Sequence, residues 1–276
     1  MSAMGLPPGR DWPSTGMRLC WESGWMDDKF WYLKNCDLFE RLDSEEITRL
    51  EERSRSKTFN RNSLVYLPSD QSRSVLLLAS GRVKIYHITG DGKQALLALI
   101  DPGEMFGELA LFDSGQREEF AETMENSTVI LIPVDLIEQL MERHPDVSMG
   151  VTRMMGLSRR RVERRIKSLL FRSNRQRLVD LLLELVEKYA RQTNEGLLIG
   201  IRLSHQDLSS MIGSTRETVT VLLGDLQAEG FLTIKRRQIV VNNVDQLAAS
   251  VDRVPPDLPV APGPAAPVPR QFPLDS

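Results

Sequence analysis

Apolar positions change their spacing along this chain, and the changes divide it. Between Ser63 and Pro133 they fall in short β-rich runs: Leu64-Val65-Tyr66-Leu67, Val75 to Leu78, Arg82 to Tyr86, Ala95 to Ile100 and Thr128 to Ile132. Gly81 and Gly90-Asp91-Gly92 supply turns between them. Strands at this spacing predict an antiparallel barrel or jelly roll. Ahead of them, Asp43-x-x-Glu46 is a capping box that opens a short helix. Behind them the period becomes helical from about Asp146 to Arg172, with Pro145 at a favourable first-turn position. At 1.5 Å per residue this helix would run roughly 40 Å, too long for a small barrel to cover. Val151, Met155, Val162 and Leu169 follow a heptad seam interrupted by Ser158 and Arg165. Such a seam pairs with its own copy, so a homodimer through residues 146–172 is expected; the alternative is an amphipathic helix lying on its own barrel.

A third pattern follows. In Arg202-Leu203-Ser204-His205-Gln206-Asp207-Leu208-Ser209-Ser210-Met211, Ser204 and Asp207 form a capping box, and Leu208, Met211 and Ile212 sit at helical spacing. Gly213 then supplies a tight turn, and Ser214 or Thr215 can cap a second helix. Val219, Leu222, Leu223 and Leu226 give that helix a buried stripe, and Gly230 ends it. Phe231 to Val241 reads as two short strands with a basic tip at Lys235, Arg236 and Arg237. Helix, turn, helix and basic hairpin make a winged helix-turn-helix. Its cap places Arg216 and Glu217 in the first turn, which in a recognition helix meets base edges in the major groove. Arginine there bonds guanine O6 and N7, and glutamate accepts from cytosine N4. The expected architecture is α+β: an N-terminal jelly-roll β-barrel, a long dimerisation helix and a C-terminal winged helix-turn-helix. Double-stranded DNA is the expected partner.

Bulk properties narrow this further. The 276 residues, 41% hydrophobic and 26% charged, suit a soluble globular protein with ample core. No apolar run approaches the roughly 18 residues of a membrane span, and the start lacks a signal-peptide pattern, so no membrane role and a cytoplasmic location are expected. The net charge of −3 means that DNA affinity must come from local patches. Residues 1–25 and 247–276 read as disordered tails, the second rich in proline and alanine, and Met26 is a candidate start.

The order of barrel, long helix and winged helix resembles the CRP/FNR superfamily of bacterial transcription regulators over roughly residues 30 to 245. Pro102 to Phe112 resembles the family's phosphate-binding cassette, and Gly213 to Val219 its recognition helix. The resemblance implies a cyclic-nucleotide-binding-like sensor domain over 26–142, a dimerisation helix over 143–173 and a DNA-binding domain over 174–246. It implies a regulator that is not an enzyme, meets RNA polymerase if it activates, and reads pseudo-palindromes of the form TGT…ACA. Arg216 would contact guanine and Glu217 cytosine, while Val221 replaces a third base-reading arginine and so loses one bidentate contact, about 1–3 kcal/mol of discrimination. Ser204, His205, Ser214, Thr215, Thr218, Thr220, Lys235, Arg236 and Arg237 complete the expected DNA surface, mostly as phosphate contacts that position the helix.

The effector pocket departs from the family's pattern. Gly107, Glu108 and Leu109 match cassette positions, but the Arg-Ser pair that neutralises a cyclic phosphate is replaced by Glu118 and Glu119. At 4 Å and an effective dielectric of 20, attraction becomes repulsion, about 4 kcal/mol in each sense. Arg117, one residue away, compensates only if the loop shifts. The adenine-contacting Thr-Ser pair is replaced by Val162 and Glu163. The expectation is therefore a degenerate pocket and no response to cyclic AMP. No cofactor is expected: Cys20 and Cys36 are too few for an iron–sulfur cluster, and His87, His144 and His205 are too scattered for a haem sensor or a cupin-type metal enzyme. Arg159, Arg160, Arg161, Arg164, Arg165 and Lys167 crowd one level of the long helix. They read as a solvated or DNA-facing surface, as an ion-pair lock with Glu118 and Glu119, or as a di-acid site. The recognition helix also resembles that of nitrogen regulators sensing 2-oxoglutarate, which keeps that acid, like a cyclic nucleotide, as an alternative effector.

Overall fold

The computed structural model describes residues 38–256 together with 33 and 36, apart from 91, 113, 114, 236 and 237. The expectations for residues 1–25, Met26, Cys20, Arg236, Arg237 and the chain beyond 256 lie outside the described residues. Helix α1 (Ser44–Arg53) opens on Asp43, whose carboxylate accepts from the Glu46 amide at 2.9 Å. The Glu46 carboxylate itself faces Arg143 at 3.5 Å and His144 at 3.6 Å.

Eight strands follow: β1 (Arg55–Phe59), β2 (Leu64–Tyr66), β3 (Ser74–Ser80), β4 (Val83–Ile88), β5 (Gln94–Ile100), β6 (Met105–Phe106), β7 (Phe120–Thr123) and β8 (Ser127–Pro133). They form two antiparallel four-stranded sheets, ordered β1-β8-β3-β6 and β2-β7-β4-β5. Phe59, Leu76, Leu78, Val83, Phe106, Ala121 and Val129 fill the space between the sheets. On the outer face of β3 and β8, Val75, Leu77, Ile130 and Ile132 pack under α1 and α2 (Val134–Arg143). Both faces of β3 are therefore buried, which is why Val75 to Ala79 reads as an unbroken apolar run rather than an alternation.

Helix α3 (Pro145–Phe171, 27 residues) carries proline in its first turn, where the missing N–H costs nothing. Its start lies on the barrel's helical cap: Val147 enters that core, and Val151 is buried as well. This corrects the seam, because Val151 is spent within its own chain. The second half is different. Leu157, Val162, Ile166, Leu169, Leu170 and Phe171 are all exposed.

The C-terminal domain begins with α4 (Asn174–Tyr189), opened by a reciprocal capping box between Ser173 and Gln176. Then come β9 (Ala190–Thr193), β10 (Gly196–Ile199), α5 (His205–Ile212), α6 (Arg216–Ala228), β11 (Leu232–Lys235), β12 (Gln238–Val241) and α7 (Val244–Ala249). Its sheet runs β11-β12-β10-β9, so a further hairpin extends the expected wing. The core also runs past residue 246: Leu247, Ala248 and Val251 are buried in it, and Arg253 bonds the Asp180 carbonyl at 3.2 Å. Leu99 and Met124 of the barrel pack against the same core, so the two domains share an interface.

Candidate DNA-reading head and effector pocket

Capping decides the geometry of the reading head. Ser204 accepts from the Asp207 amide at 3.1 Å, and Asp207 accepts from the Ser204 amide at 2.8 Å, closing the box that starts α5. Gly213 ends α5 in the left-handed region, φ 63°. A Cβ there would stand 2.8 Å from Leu169 Cδ2, so α3 presses on the turn itself. Of the two candidate caps, Thr215 is the one used: its hydroxyl accepts from the Thr218 amide at 3.2 Å. Ser214 instead donates its own amide to the Ser209 carbonyl at 3.0 Å.

Arg216 and Glu217 are thereby the first two residues of α6, both exposed. Hydrogen bonds from the Glu217 amide and the Thr215 hydroxyl hold the Glu217 carboxyl below the usual carboxylate range. At neutral pH it is therefore an ionised acceptor. Val219, Leu223 and Leu226 face the core, leaving Thr220 and Val221 on the outer side with Arg216 and Glu217; Val221 is 62% exposed. The Thr220 hydroxyl donates to the Arg216 carbonyl at 2.9 Å and lies 2.8 Å from His205 Nδ1, which ties the start of α5 to the first turn of α6. At the wing, Lys235 is paired with Glu195 rather than standing free.

The effector pocket departs from expectation in which side chain enters it. Arg117 is 8% exposed and turned inward: it donates to the Gly107 carbonyl at 2.9 Å and the Ser74 carbonyl at 2.5 Å. Its guanidinium lies 4.5 Å from the Tyr66 ring centroid. Gly107 has φ 68°, and a Cβ on it would collide with that guanidinium. The cradle is filled by the chain's own cation. Parity explains this: residues alternate faces into β7, so Arg117, Ala121 and Thr123 share the buried face and Glu118 is turned outward. Glu119 is half-buried and accepts from the Tyr66 hydroxyl at 3.2 Å. Burial first, then the Glu119 charge, pushes the Tyr66 hydroxyl well above the ordinary tyrosine range. The expectation that Glu118 and Glu119 stand in place of the phosphate-neutralising pair is thus corrected: Arg117 enters the cradle, with its donors taken by the Gly107 and Ser74 carbonyls, while Glu118 stays outside. Glu108 and the half-exposed Leu109 lie in a 3₁₀ turn (Glu108–Leu111) following Gly107.

The arginines of α3 do not converge on Glu118 or Glu119 among the described residues of one chain. Arg159 pairs with Glu163 on its own helix at 2.9 Å, while Arg161 and Val162 are exposed. Arg165 reaches into the DNA-binding domain, donating to the Ser210 carbonyl at 2.8 Å. Four further residues carry the arrangement without having announced themselves in the sequence. Tyr66 and Ser74 hold Arg117, and Asp101 and Tyr189 join the domains through a 2.5 Å hydrogen bond. Among the described residues, no group of three His, Cys, Asp or Glu is placed to hold a metal ion. Likewise no described helix is long and apolar enough to cross a membrane.

Comparison with known proteins agrees with this division. Residues 56–144 match the model of the cyclic nucleotide-binding domain, and residues 176–250 that of the Crp-like helix-turn-helix domain. The chain is 33% identical over 210 residues to the global nitrogen regulator of Synechocystis sp., covering 75% of this chain and 90% of the relative. It is 24% identical over 216 residues to the CRP-like cAMP-activated global transcriptional regulator of Mycobacterium tuberculosis, covering 78% and 96%. Among solved structures, the c-di-GMP responsive global regulator CLP of Xanthomonas campestris superposes with a TM-score of 0.66 at 24% identity, covering 73% of this chain and all of that one. At that identity the likeness is one of fold.

Proposed function

The chain belongs to the CRP/FNR family of transcription regulators, and from that premise we propose that it acts as a homodimer reading TGT…ACA-like pseudo-palindromes without any cyclic nucleotide. It is a DNA-binding regulator and not an enzyme. Base reading is assigned to Arg216 and Glu217, with Val221 in place of a third polar reader. Ser204, His205, Ser214, Thr215, Thr218, Thr220 and Lys235 are assigned to the sugar-phosphate backbone or its approach. Support for the dimer comes from the exposed second half of α3, where Leu157, Val162, Ile166 and Leu170 find no cover among the described residues of one chain. A DNA target in a bacterial cell puts the protein in the cytoplasm, and activation would bring it against RNA polymerase.

The observation that carries independence from cyclic AMP is that Arg117, the cation able to meet a cyclic phosphate, already has its donors committed to the Gly107 and Ser74 carbonyls. A cyclic phosphate entering this cradle must displace a buried guanidinium from two carbonyl oxygens and then face Glu119. The test is fluorescence anisotropy on a TGT-N-ACA duplex and a scrambled duplex at fixed near-physiological salt, with and without cyclic AMP or 2-oxoglutarate. Selective binding unchanged by either ligand is expected. Binding that appears only with cyclic AMP overturns the assignment of Arg117, and binding that appears only with 2-oxoglutarate makes the protein a di-acid sensor.

A further inference from the structure

Each DNA-binding domain is held by more than the junction at Arg172 and Ser173. Asp101, at the end of β5, accepts from Arg82 Nε at 2.8 Å and from the Tyr189 hydroxyl at 2.5 Å, with Lys188 Nζ at 4.0 Å. The Arg82 guanidinium lies 4.9 Å from the Tyr189 ring centroid. Tyr189 is the last residue of α4, and its carbonyl accepts from the Gly200 amide at 2.9 Å, close to the start of α5. Leu99 and Met124 of the barrel pack against the core of the same C-terminal domain. The side chains of Arg82 and Asp101 are 18% and 21% exposed, so salt screens the pair far less than a surface pair. From the other side, Arg165 bonds the Ser210 carbonyl and Leu169 abuts Gly213. The head is thus gripped by barrel and long helix together, with Arg216, Glu217, Thr220 and Val221 left open.

We propose that Asp101 and Tyr189 form a latch that fixes the angle of each reading head, so that the dimer accepts one spacing between half-sites. This rests on the dimeric DNA reading above. In B-DNA one turn takes 10 to 10.5 base pairs, so each inserted base pair turns the second half-site by about 34° and moves it about 3.4 Å. A latched head cannot follow that displacement; one swinging from Arg172 and Ser173 can. Asp101 and Tyr189 touch no base, and are positioning residues.

The experiment uses the full chain and its Tyr189→Phe, Asp101→Asn and double variants. Each is titrated onto duplexes carrying both half-sites at the best spacing, with one base pair added or removed, and onto a scrambled duplex. The wild type is expected to prefer the best spacing by about tenfold, the scale of one well-placed hydrogen bond, and each variant to lose most of that preference. Binding to scrambled DNA should not change, and the double variant should be no worse than the weaker of the single ones, since Tyr189→Phe removes and Asp101→Asn weakens the same contact. If Asp101→Asn misfolds, Tyr189→Phe, which deletes one oxygen, carries the test. Variants that keep the wild-type spacing profile overturn the latch. So do variants that bind the best site more tightly, which would make it a restraint against DNA. A wild type that selects no duplex at any spacing takes the latch down together with the dimeric reading, whereas a selective wild type with unaltered variants removes the latch alone.

Discussion

Truncation of Arg117 isolates the feature that closes the effector pocket. Its guanidinium makes hydrogen bonds of 2.9 and 2.5 Å to two backbone carbonyls and lies 4.5 Å from the Tyr66 ring. Hydrogen bonds from a charged donor contribute about 1.5–3 kcal/mol each, and a desolvated cation–π contact about 2. Burying the cation costs several kcal/mol in return. Arg117→Ala removes these contacts, leaves buried carbonyls short of a donor and opens a cavity, for a net loss of about 3 kcal/mol. In a protein of this size that lowers the melting temperature by about 6–12 °C. Arg117→Met fills the space without donors, so the difference between the two variants separates cavity from hydrogen bonds. Guanidinium ion at about 10 mM, well below denaturing levels, should enter the alanine cavity and recover part of the loss by mass action, leaving wild type and the methionine variant unmoved. The assay is thermal melting followed by circular dichroism, with and without guanidinium and cyclic AMP. Equal melting of wild type and Arg117→Ala would refute the reasoning. A wild-type melting temperature raised by cyclic AMP would refute it too, because the nucleotide would then be entering past the arginine.

Arg216→Ala should abolish the difference between specific and scrambled DNA in anisotropy, whereas Lys235→Ala, already paired with Glu195, should weaken both equally and only slightly. Equal loss on both duplexes for Arg216→Ala would remove its base-reading role. Gly213→Ala should destabilise the winged domain by about 1–3 kcal/mol, since alanine at φ 63° is strained and its Cβ meets Leu169; Leu169→Ala in the same chain should recover part of that loss in a urea melt, and no recovery would mean the strain is in the backbone alone. Burial, then the hydrogen bond to Glu122, pushes the Tyr86 hydroxyl up to about 12. Its neutral form is favoured by folding, so its contribution is complete below the ordinary tyrosine value near 10 and is lost as pH rises through about 12. Tyr86→Phe should therefore flatten the fall of stability across that window in alkaline urea titrations, and an unchanged slope would show that other groups govern it.

Local chemistry was legible in the sequence wherever one element decides it alone. The Ser204 box, the left-handed turn at Gly213 and the position of Arg216 at the first turn follow from a few consecutive residues, because caps and turns are satisfied within their own helix ends. The short strands and the long helix follow from periodicity for the same reason. Three things were not legible. The inward turn of Arg117 depends on the parity with which the chain enters β7, and a shift of one residue exchanges it with Glu118. The division of α3 into a half lying on the barrel and an exposed half depends on what α1 and α2 cover, which no heptad count contains. The contact of Asp101 with Tyr189 joins residues 88 positions apart in sequence, on different domains, and neither belongs to a motif. The sequence by itself determined that there is a helix-turn-helix and which side chains stand at the start of its second helix. Only the tertiary structure decided what fills the pocket and what holds the head, because those choices rest on strand register and on contacts between distant segments.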